Sequence, residues 1–440
     1  MTDLALNLAG KYFAISGGEL MIGGVGVCRL AETHGTPSFV YDRSVIDRRM
    51  DALRAALPAS FAICYSVKAN PNLAVIRHFV ARGCGLEVAS AGEFAMALKA
   101  GCEPRNILFA GPGKTETELE YVLSQDIGEI HVESLQEVRR VARISSELHV
   151  RARVSIRVNP ASEAEGGAMR MGGRPAAFGI DEEDLERALD AVLQSGSLDF
   201  RGLHIFAGTQ ILDANTLIAQ YRHGLAVARH AAQYARCPLH TIDFGGGLGI
   251  PYFPHEQPLD LEQLRAGLAE LFRGVDSDPA LSGTRFVVEP GRFLVGEAGV
   301  YLARINDIKV SRGKKFLILD GGMNHHLAAS GNLGQTIKRN YPIAIANRMA
   351  TPASETVDVV GPLCTPLDTL ARNVALPPAD IGDFVAIFQS GAYGRSASPL
   401  GFLSHPAPAE IFADRGCTEV ISARGEITTF GVPTIAMKGR

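Results

Sequence analysis

Lysine, carboxylates and a glycine run recur where strand-like stretches end. Lys68 closes the apolar part of "AICYSVKANPN", residues 62–72. That stretch reads as a buried strand, and burying an ammonium is costly unless its charge is paired or lost. Glu87 lies in "GLEVAS", and Arg157 near the end of "RVSIRVNP". His204 and Phe206 lie in "FRGLHIFAG", with Thr209 just after it. "GGGLG" runs from Gly245 to Gly249, and "EPGR" from Glu289 to Arg292. Each has a plainer reading alone: a strand-end lysine is usually exposed, and a glycine run is usually a turn. Together they describe one chemistry. Gly245, Gly246 and Gly247 leave backbone N–H groups bare for a phosphate, and Thr209 offers a hydroxyl. Glu289 can pair with a protonated ring nitrogen, and Lys68 can form a Schiff base with an aldehyde. A phosphate cradle, a carboxylate and a lysine make a pyridoxal phosphate site.

Such residues must be carried on one rim. From about Ser44 to Arg292 the chain alternates apolar strands with amphipathic helices. The strand candidates are "FAICYSVKA", "GLEVAS", "ILFAGP", "EIHVES", "RVSIRVNP", "FRGLHIFAG", "TIDFGGG" and "RFVVEPGR". Helical spacing fills "NLAVIRHFVARG", "EFAMALKAG", "ETELEYVLSQD" and "LQEVRRVARISSE". Ser90 with Glu93, Thr115 with Glu118 and Ser134 with Glu137 have capping-box spacing. Strand then helix, eight times, predicts an α/β fold, a closed (β/α)8 TIM-like barrel with its site at the strands' C-terminal ends. An open doubly wound sheet is the alternative. After Arg292, "GVYLARINDIKV", "KKFLILDGG", "ETVDVVGPL" and "GDFVAIFQSG" predict a β-rich second domain. The pieces "KYFAIS", "ELMIGGV" and "SFVYD" are strand-like too. The expected division is a barrel over 44–295 and a β-rich domain from 1–43 plus 296–440.

Composition narrows the class. The 440 residues are 46% hydrophobic and 20% charged, with a net charge of −4, so no basic field favours nucleic acid or an anionic membrane. The seven cysteines are odd in number and form no CxxC pair, which predicts free thiols in a reducing compartment. The N-terminus has no secretory pattern, and no apolar run approaches the roughly 20 residues that span a bilayer. A cytoplasmic protein is expected. Two decoys are set aside. "GPGKT" resembles a P-loop end, but Leu108 stands where that motif needs glycine. His325 and His326 are adjacent, not spaced as metal ligands, and no metal is expected.

"YSVKAN", "GLEVASAGE", "GGGLGIPY", "EPGR", "GPLC" and "SGAYG" occur in the order of a known family. The chain resembles the fold-type III pyridoxal-phosphate decarboxylases, which include diaminopimelate and ornithine decarboxylases. The resemblance runs from "TPSFVYD" to "SGAYG". It implies that Lys68 is the Schiff-base lysine and that Glu289 holds the pyridine nitrogen. It implies a phosphate site of Gly245, Gly246, Gly247, Thr209 and Tyr393. Arg292 would contact phosphate or substrate carboxylate, and Glu87 and Arg157 would lie beside the cofactor. Cys364 of "GPLC" would protonate the carbanion from the second subunit, which implies a homodimer with shared sites.

The departures concern the substrate. The family's ring-stacking histidine is replaced by Phe206, with His204 one strand alternation away. Thr365 stands where diaminopimelate and ornithine decarboxylases place an acid for the distal amine, while Asp368 remains. A buried ammonium needs a partner, so Thr365 argues against a free diamino acid. Ala328 occupies the place of a family arginine, leaving Arg339 and Tyr341 as candidates for carboxylate binding. The sequence is most similar to a subgroup in specialised biosynthesis. That subgroup includes the butirosin-pathway decarboxylase, which acts on glutamate tethered to an acyl carrier protein, and decarboxylases associated with exosortase systems. A carrier would need a basic patch, for which Lys338, Arg339 and Arg395 are candidates. A diaminopimelate decarboxylase, a related racemase or lyase, and a non-catalytic cofactor-binding homologue remain as alternatives.

Overall fold

This computed structural model describes residues 3–161, 169–170, 175–206, 208–335 and 337–425. They form two compact units. One holds Asp51–Ile250 and Gln257–Phe293; the other holds the N-terminal residues to Met50, Pro251–Glu256 and the chain from Leu294. The division therefore falls within the helix Arg43–Ala56 rather than before it, and Pro251–Glu256 groups with the second unit.

In the first unit the strands are β1 Phe61–Ser66, β2 Gly85–Val88, β3 Ile107–Phe109, β4 Glu129–Val132, β5 Ala152–Asn159, β6 Leu198–Ile205, β7 Thr241–Asp243 and β8 Arg285–Val288. All pair in parallel with their neighbours, and Phe286 of β8 pairs back onto Phe61 of β1. The sheet is a closed barrel, and the open-sheet alternative is excluded.

Helices α1 Leu73–Ala81, α2 Ala91–Lys99, α3 Glu116–Ser124, α4 Leu135–Glu147, α5 Leu185–Leu193, α6 Ala214–Ala235 and α7 Leu261–Leu271 follow the first seven strands in turn. Strand β8 runs instead into the four-residue helix Arg292–Val295. The helices form because apolar residues recur at helical spacing, as in Val138, Val141 and Ile144 of α4, all buried. Each such side chain contributes roughly 1.5–3 kcal/mol by leaving water. Rings of Phe61, Tyr221, Phe244, Phe272 and Phe286 pack together and tie α6 and the end of α7 to the β7–β8–β1 wall.

The helix starts use the expected caps with one refinement. Thr115 and Glu118 make the reciprocal capping box. Ser90 and Ser134 accept from the N–H groups of Glu93 and Glu137, but those glutamates reach one residue further back. Glu93 accepts from the Ala89 N–H and Glu137 from the Glu133 N–H. The caps thus clamp the strand-to-helix turns on the rim that carries the site.

In the second unit Ser38–Asp42 pairs antiparallel with Gly299–Ser311 and parallel with Ala409–Asp414. Gly299–Ser311 bends across two partners, Phe384–Ile387 and Lys314–Leu319. Glu355–Val360 and Thr369–Leu376 extend the sheet. Strand-forming segments from both ends of the chain share this β-rich unit. "KYFAIS" is not one strand: Asp3–Tyr12 is a helix, and only Ala14–Ser16 is extended. The cause is burial of Ala5, Leu8, Ala9 and Tyr12 on one helical face. No helix among the described residues is long and apolar enough to cross a membrane.

Candidate active site

Strand alternation decides which side chains enter the barrel. In β4, Ile130 and Val132 alternate with Glu129 and His131; in β5, Val154, Ile156 and Val158 alternate with Ser155 and Arg157. Leu86 and Val88 flank Glu87 in β2, and Leu203 and Ile205 flank His204 in β6. The polar set points inward: Glu129 of β4 bonds Ser155 of β5 and Thr241 of β7, which only a lumen position allows.

Lys68 sits in a short 3-10 turn, Val67–Ala69, just beyond β1. Its side chain is 47% exposed, so the expected buried lysine is corrected. The strand ends at Ser66, and the turn lifts Lys68 above the rim. What is buried is its partner, Glu87. Lys68 Nζ donates to Glu87 Oε1 and Oε2 at 3.0 and 2.9 Å, and Ser66 Oγ donates to Oε2 at 2.5 Å. Burial alone would raise the Glu87 carboxyl, but the Lys68 charge and these hydrogen bonds outweigh it and hold it below the usual range.

The "EPGR" turn approaches the same place. The Pro290 carbonyl accepts from the Ser66 N–H, and a Cβ at Gly291 would lie 2.8 Å from that of Ala69. Glu289 is buried and adjoins Asp243 and His204, whose Nε2 lies 3.5 Å from Glu289 Oε2. Burial, then the charges of Asp243 and Glu87, push the Glu289 carboxyl well above its ordinary value. Burial also raises Asp243, while burial followed by His131 pushes His204 well below the usual imidazole range.

The glycine run requires glycine. Gly245 and Gly247 have φ of +66° and +91°, and a Cβ at Gly246 would lie 2.5 Å from the Glu289 carbonyl oxygen. Asp243 Oδ1 accepts from the Gly245 N–H, and the Gly245 carbonyl accepts from the Glu289 N–H. The N–H groups of Gly246 and Gly247 take no partner among the described residues. Thr209 pairs with Met169 in a two-residue bridge alongside this loop.

Arg157 leans over the Phe206 and Phe178 rings, 5.9 and 5.2 Å from their centroids, and donates to Glu133 Oε1 at 2.8 Å. Glu133 also accepts from the Gly111 and Gly179 N–H groups. Phe206 packs on Gly245, where a Cβ would meet its ring at 2.7 Å. The lysine of the P-loop decoy, Lys114, is buried and saturated by the Gly111 and His131 carbonyls and Glu137, so it pins the β3 and β4 turns. Half-buried Arg292 stands at the start of the helix after the "EPG" turn.

The remaining expected residues belong to the second unit. Cys364 is exposed at the "GPLC" turn, and the Thr365 hydroxyl accepts from the Leu367 N–H. Asp368, expected near the substrate, is turned toward the backbone. It is 2% exposed, and its two oxygens accept from the Met323 and Leu363 N–H groups at 2.6 and 2.8 Å. Its task is to tie "GGMN" to "GPLC". Arg339 is exposed, stacks over Phe253 and lies 3.0 Å from His255 Nε2. Tyr341 is buried between the Tyr252 and His326 rings. Tyr393 is half-buried with a left-handed φ of 53°. His325 and His326 bond Tyr301 and Ser390, and Arg395 is engaged by the Pro408 carbonyl and Glu410.

Glu129, His131, Glu133 and Asp243 were not anticipated. A signal existed: "EIHVES" alternates Glu129, His131 and Glu133 with apolar residues at the period of two that marks one barrel face.

The arrangement fits pyridoxal phosphate. Glu289 Oε1, Asp243 Oδ2 and both His204 ring nitrogens are buried without hydrogen-bond partners among the described residues. They adjoin a side-chain-free loop with open N–H groups, as a ring nitrogen and a phosphate on one ligand require.

Known proteins agree with the geometry. Residues 43–296, more than half of the chain, match the family described as "Pyridoxal-dependent decarboxylase, pyridoxal binding domain". The chain is 36% identical over 402 residues to the L-glutamyl-[BtrI acyl-carrier protein] decarboxylase of Niallia circulans, covering 91% of this chain and 94% of that one. It is 32% identical to the diaminopimelate decarboxylase of Aquifex aeolicus, covering 94% and 95%. The crystal structure of diaminopimelate decarboxylase from M. jannaschii with L-lysine superposes with a TM-score of 0.86 at 26% identity, covering 94% and 96%.

Proposed function

Because this chain belongs to the pyridoxal-dependent decarboxylases, we propose that its substrate is a glutamyl-type amino acid carried on an acyl carrier protein. The enzyme is a pyridoxal-phosphate-dependent carboxy-lyase. The observation that carries the substrate assignment lies after Cys364. Thr365 is no acid, and Asp368 is 2% exposed with each oxygen turned to a backbone amide. The loop therefore offers a distal ammonium no carboxylate. The likeness to the Niallia circulans enzyme supports the same reading.

Bound pyridoxal phosphate supplies the electron sink that accepts the pair left when the Cα–carboxylate bond breaks. The protein's residues place and protect it. Lys68 anchors the aldehyde carbon through Nζ, and Glu87 holds that nitrogen in place. Gly245, Gly246, Gly247, Thr209 and Arg292 would bind the phosphate. Glu289 keeps a proton on the ring nitrogen, with His204 at its other side. Arg157 and Phe206 flank the ring. Cys364, donated by a second copy of the chain in a homodimer, returns a proton to Cα.

A decarboxylation assay on free and carrier-tethered amino acids tests this. Carbon dioxide release from glutamyl carrier protein, with little from free diamino acids, is expected. Efficient turnover of free diaminopimelate would overturn the substrate assignment, and racemised substrate would overturn the reaction.

A further inference from the structure

Four buried side chains form a column inside the barrel, from Glu129 through His131 and His204 to Glu289. His131 Nε2 lies 3.4 Å from Glu129 Oε1. The two imidazoles are 4.4 Å apart, centroid to centroid, and tilted by 42°. His204 Nε2 lies 3.5 Å from Glu289 Oε2. None of the four ring nitrogens has a closer partner among the described residues. Whatever the tautomers, each buried ring carries an N–H that needs an acceptor, and the carboxylates are the acceptors at hand.

Glu289 needs such support. It must be ionised to hold a protonated ring nitrogen, yet its surroundings oppose this. Asp243 faces it from β7, and the Glu87–Lys68 pair lies across the rim. Arg157 and Lys114 are already bound to Glu133 and Glu137. Both imidazoles lie near it, with one nitrogen of each within 4.8 Å of a Glu289 oxygen, and among the described residues His204 Nε2 is the ring nitrogen placed as a donor at 3.5 Å. Among the described residues His204 has no hydrogen-bonded anchor of its own, and it packs on His131, whose Nε2 lies 3.4 Å from Glu129 Oε1. Glu129 is held in turn by Ser155 and Thr241.

We propose that His131 is a positioning residue: anchored by Glu129, it fixes His204 against Glu289 so that Glu289 keeps the cofactor's ring nitrogen protonated. This rests on the pyridoxal phosphate reading and deepens it. Packing alone would be satisfied by any ring; the column requires an N–H at both ends of the His131–His204 pair.

The test uses the full-length holoenzyme with pyridoxal phosphate labelled with 15N in the ring. His131→Phe keeps a ring on His204 but cannot bond Glu129. The expected result is a 15N resonance moved toward the unprotonated position and a kcat lowered by about tenfold, the scale on which supporting hydrogen-bond partners act, with KM unchanged. Glu129→Gln, nearly the same shape, should move the resonance the same way, and it decides the matter should H131F fail to fold. A wild-type resonance and wild-type kcat in a folded variant would overturn the proposal. Failure of the wild-type chain to bind the cofactor would instead sink the reading beneath it.

Discussion

Lys68 Nζ sits between the two oxygens of Glu87, at 3.0 and 2.9 Å, with the carboxylate buried and the lysine stem exposed. The pair thus presents a reactive nitrogen at an open rim while its countercharge is held from below by Ser66. A lysine so placed can be reached by an incoming aldehyde without desolvating a buried ammonium.

Replacing Lys68 by Ala should abolish both turnover and the visible absorbance of covalently held cofactor. Spectroscopy of the reconstituted variant checks this; retained absorbance would mean another amine anchors the group.

Glu87→Gln keeps the shape but removes the charge facing Nζ. A kcat lower by at least about tenfold is expected, the rate equivalent of the roughly 1.5–3 kcal/mol that a hydrogen bond to a charged group contributes, with KM little changed. Steady-state kinetics against the wild type decide it.

Gly246→Ala places a Cβ against the Glu289 carbonyl. The loop must shift, and its open N–H groups move with it. Cofactor affinity should fall by about tenfold or more, equivalent to about 1.4 kcal/mol. Equilibrium dialysis of pyridoxal phosphate measures it.

Asp368→Asn should cost stability rather than selectivity. One of the two backbone amides now satisfied by its carboxylate would face an NH2 group, for a loss of about 1–3 kcal/mol. Urea unfolding should report the loss, while the preference among substrates stays unchanged. A switch of substrate preference would restore Asp368 as a ligand.

Burial lowers His325 to about 4 and His326 to about 3. Between those values and the unfolded pKa of about 6.5 the unfolded chain binds more protons, so stability falls as pH drops through that window. From pH 7 to 5 each imidazole should withdraw about 2 kcal/mol. His326→Gln should lose less stability over that interval, as urea titrations at the two pH values would show.

The place of these residues on the barrel was legible because Lys68, Gly245–Gly247 and Glu289 follow strands while Glu87 and Arg157 lie near the C-terminal ends of theirs. In a closed barrel all strand ends share a rim. The backbone contacts of Asp368 were not legible, because a carboxylate near "GPLC" looks the same in sequence whether it faces a ligand or two backbone amides. The strand-like reading of "KYFAIS" ran two residues into the helix Asp3–Tyr12, at Lys11 and Tyr12, because a short apolar run fits either pattern and only packing chose between them.

Sequence alone determined the alternation of strand and helix, the caps, and the types of the rim residues, since these depend on periodicity and local hydrogen bonding. Tertiary structure decided what distance and burial control. It lifted Lys68 out of the core and gave Asp368 to the backbone. It also brought Glu129 and His131 of β4, His204 of β6 and Glu289 from the turn after β8 into one column. No local pattern encodes that meeting, because it exists only once the eighth strand closes onto the first.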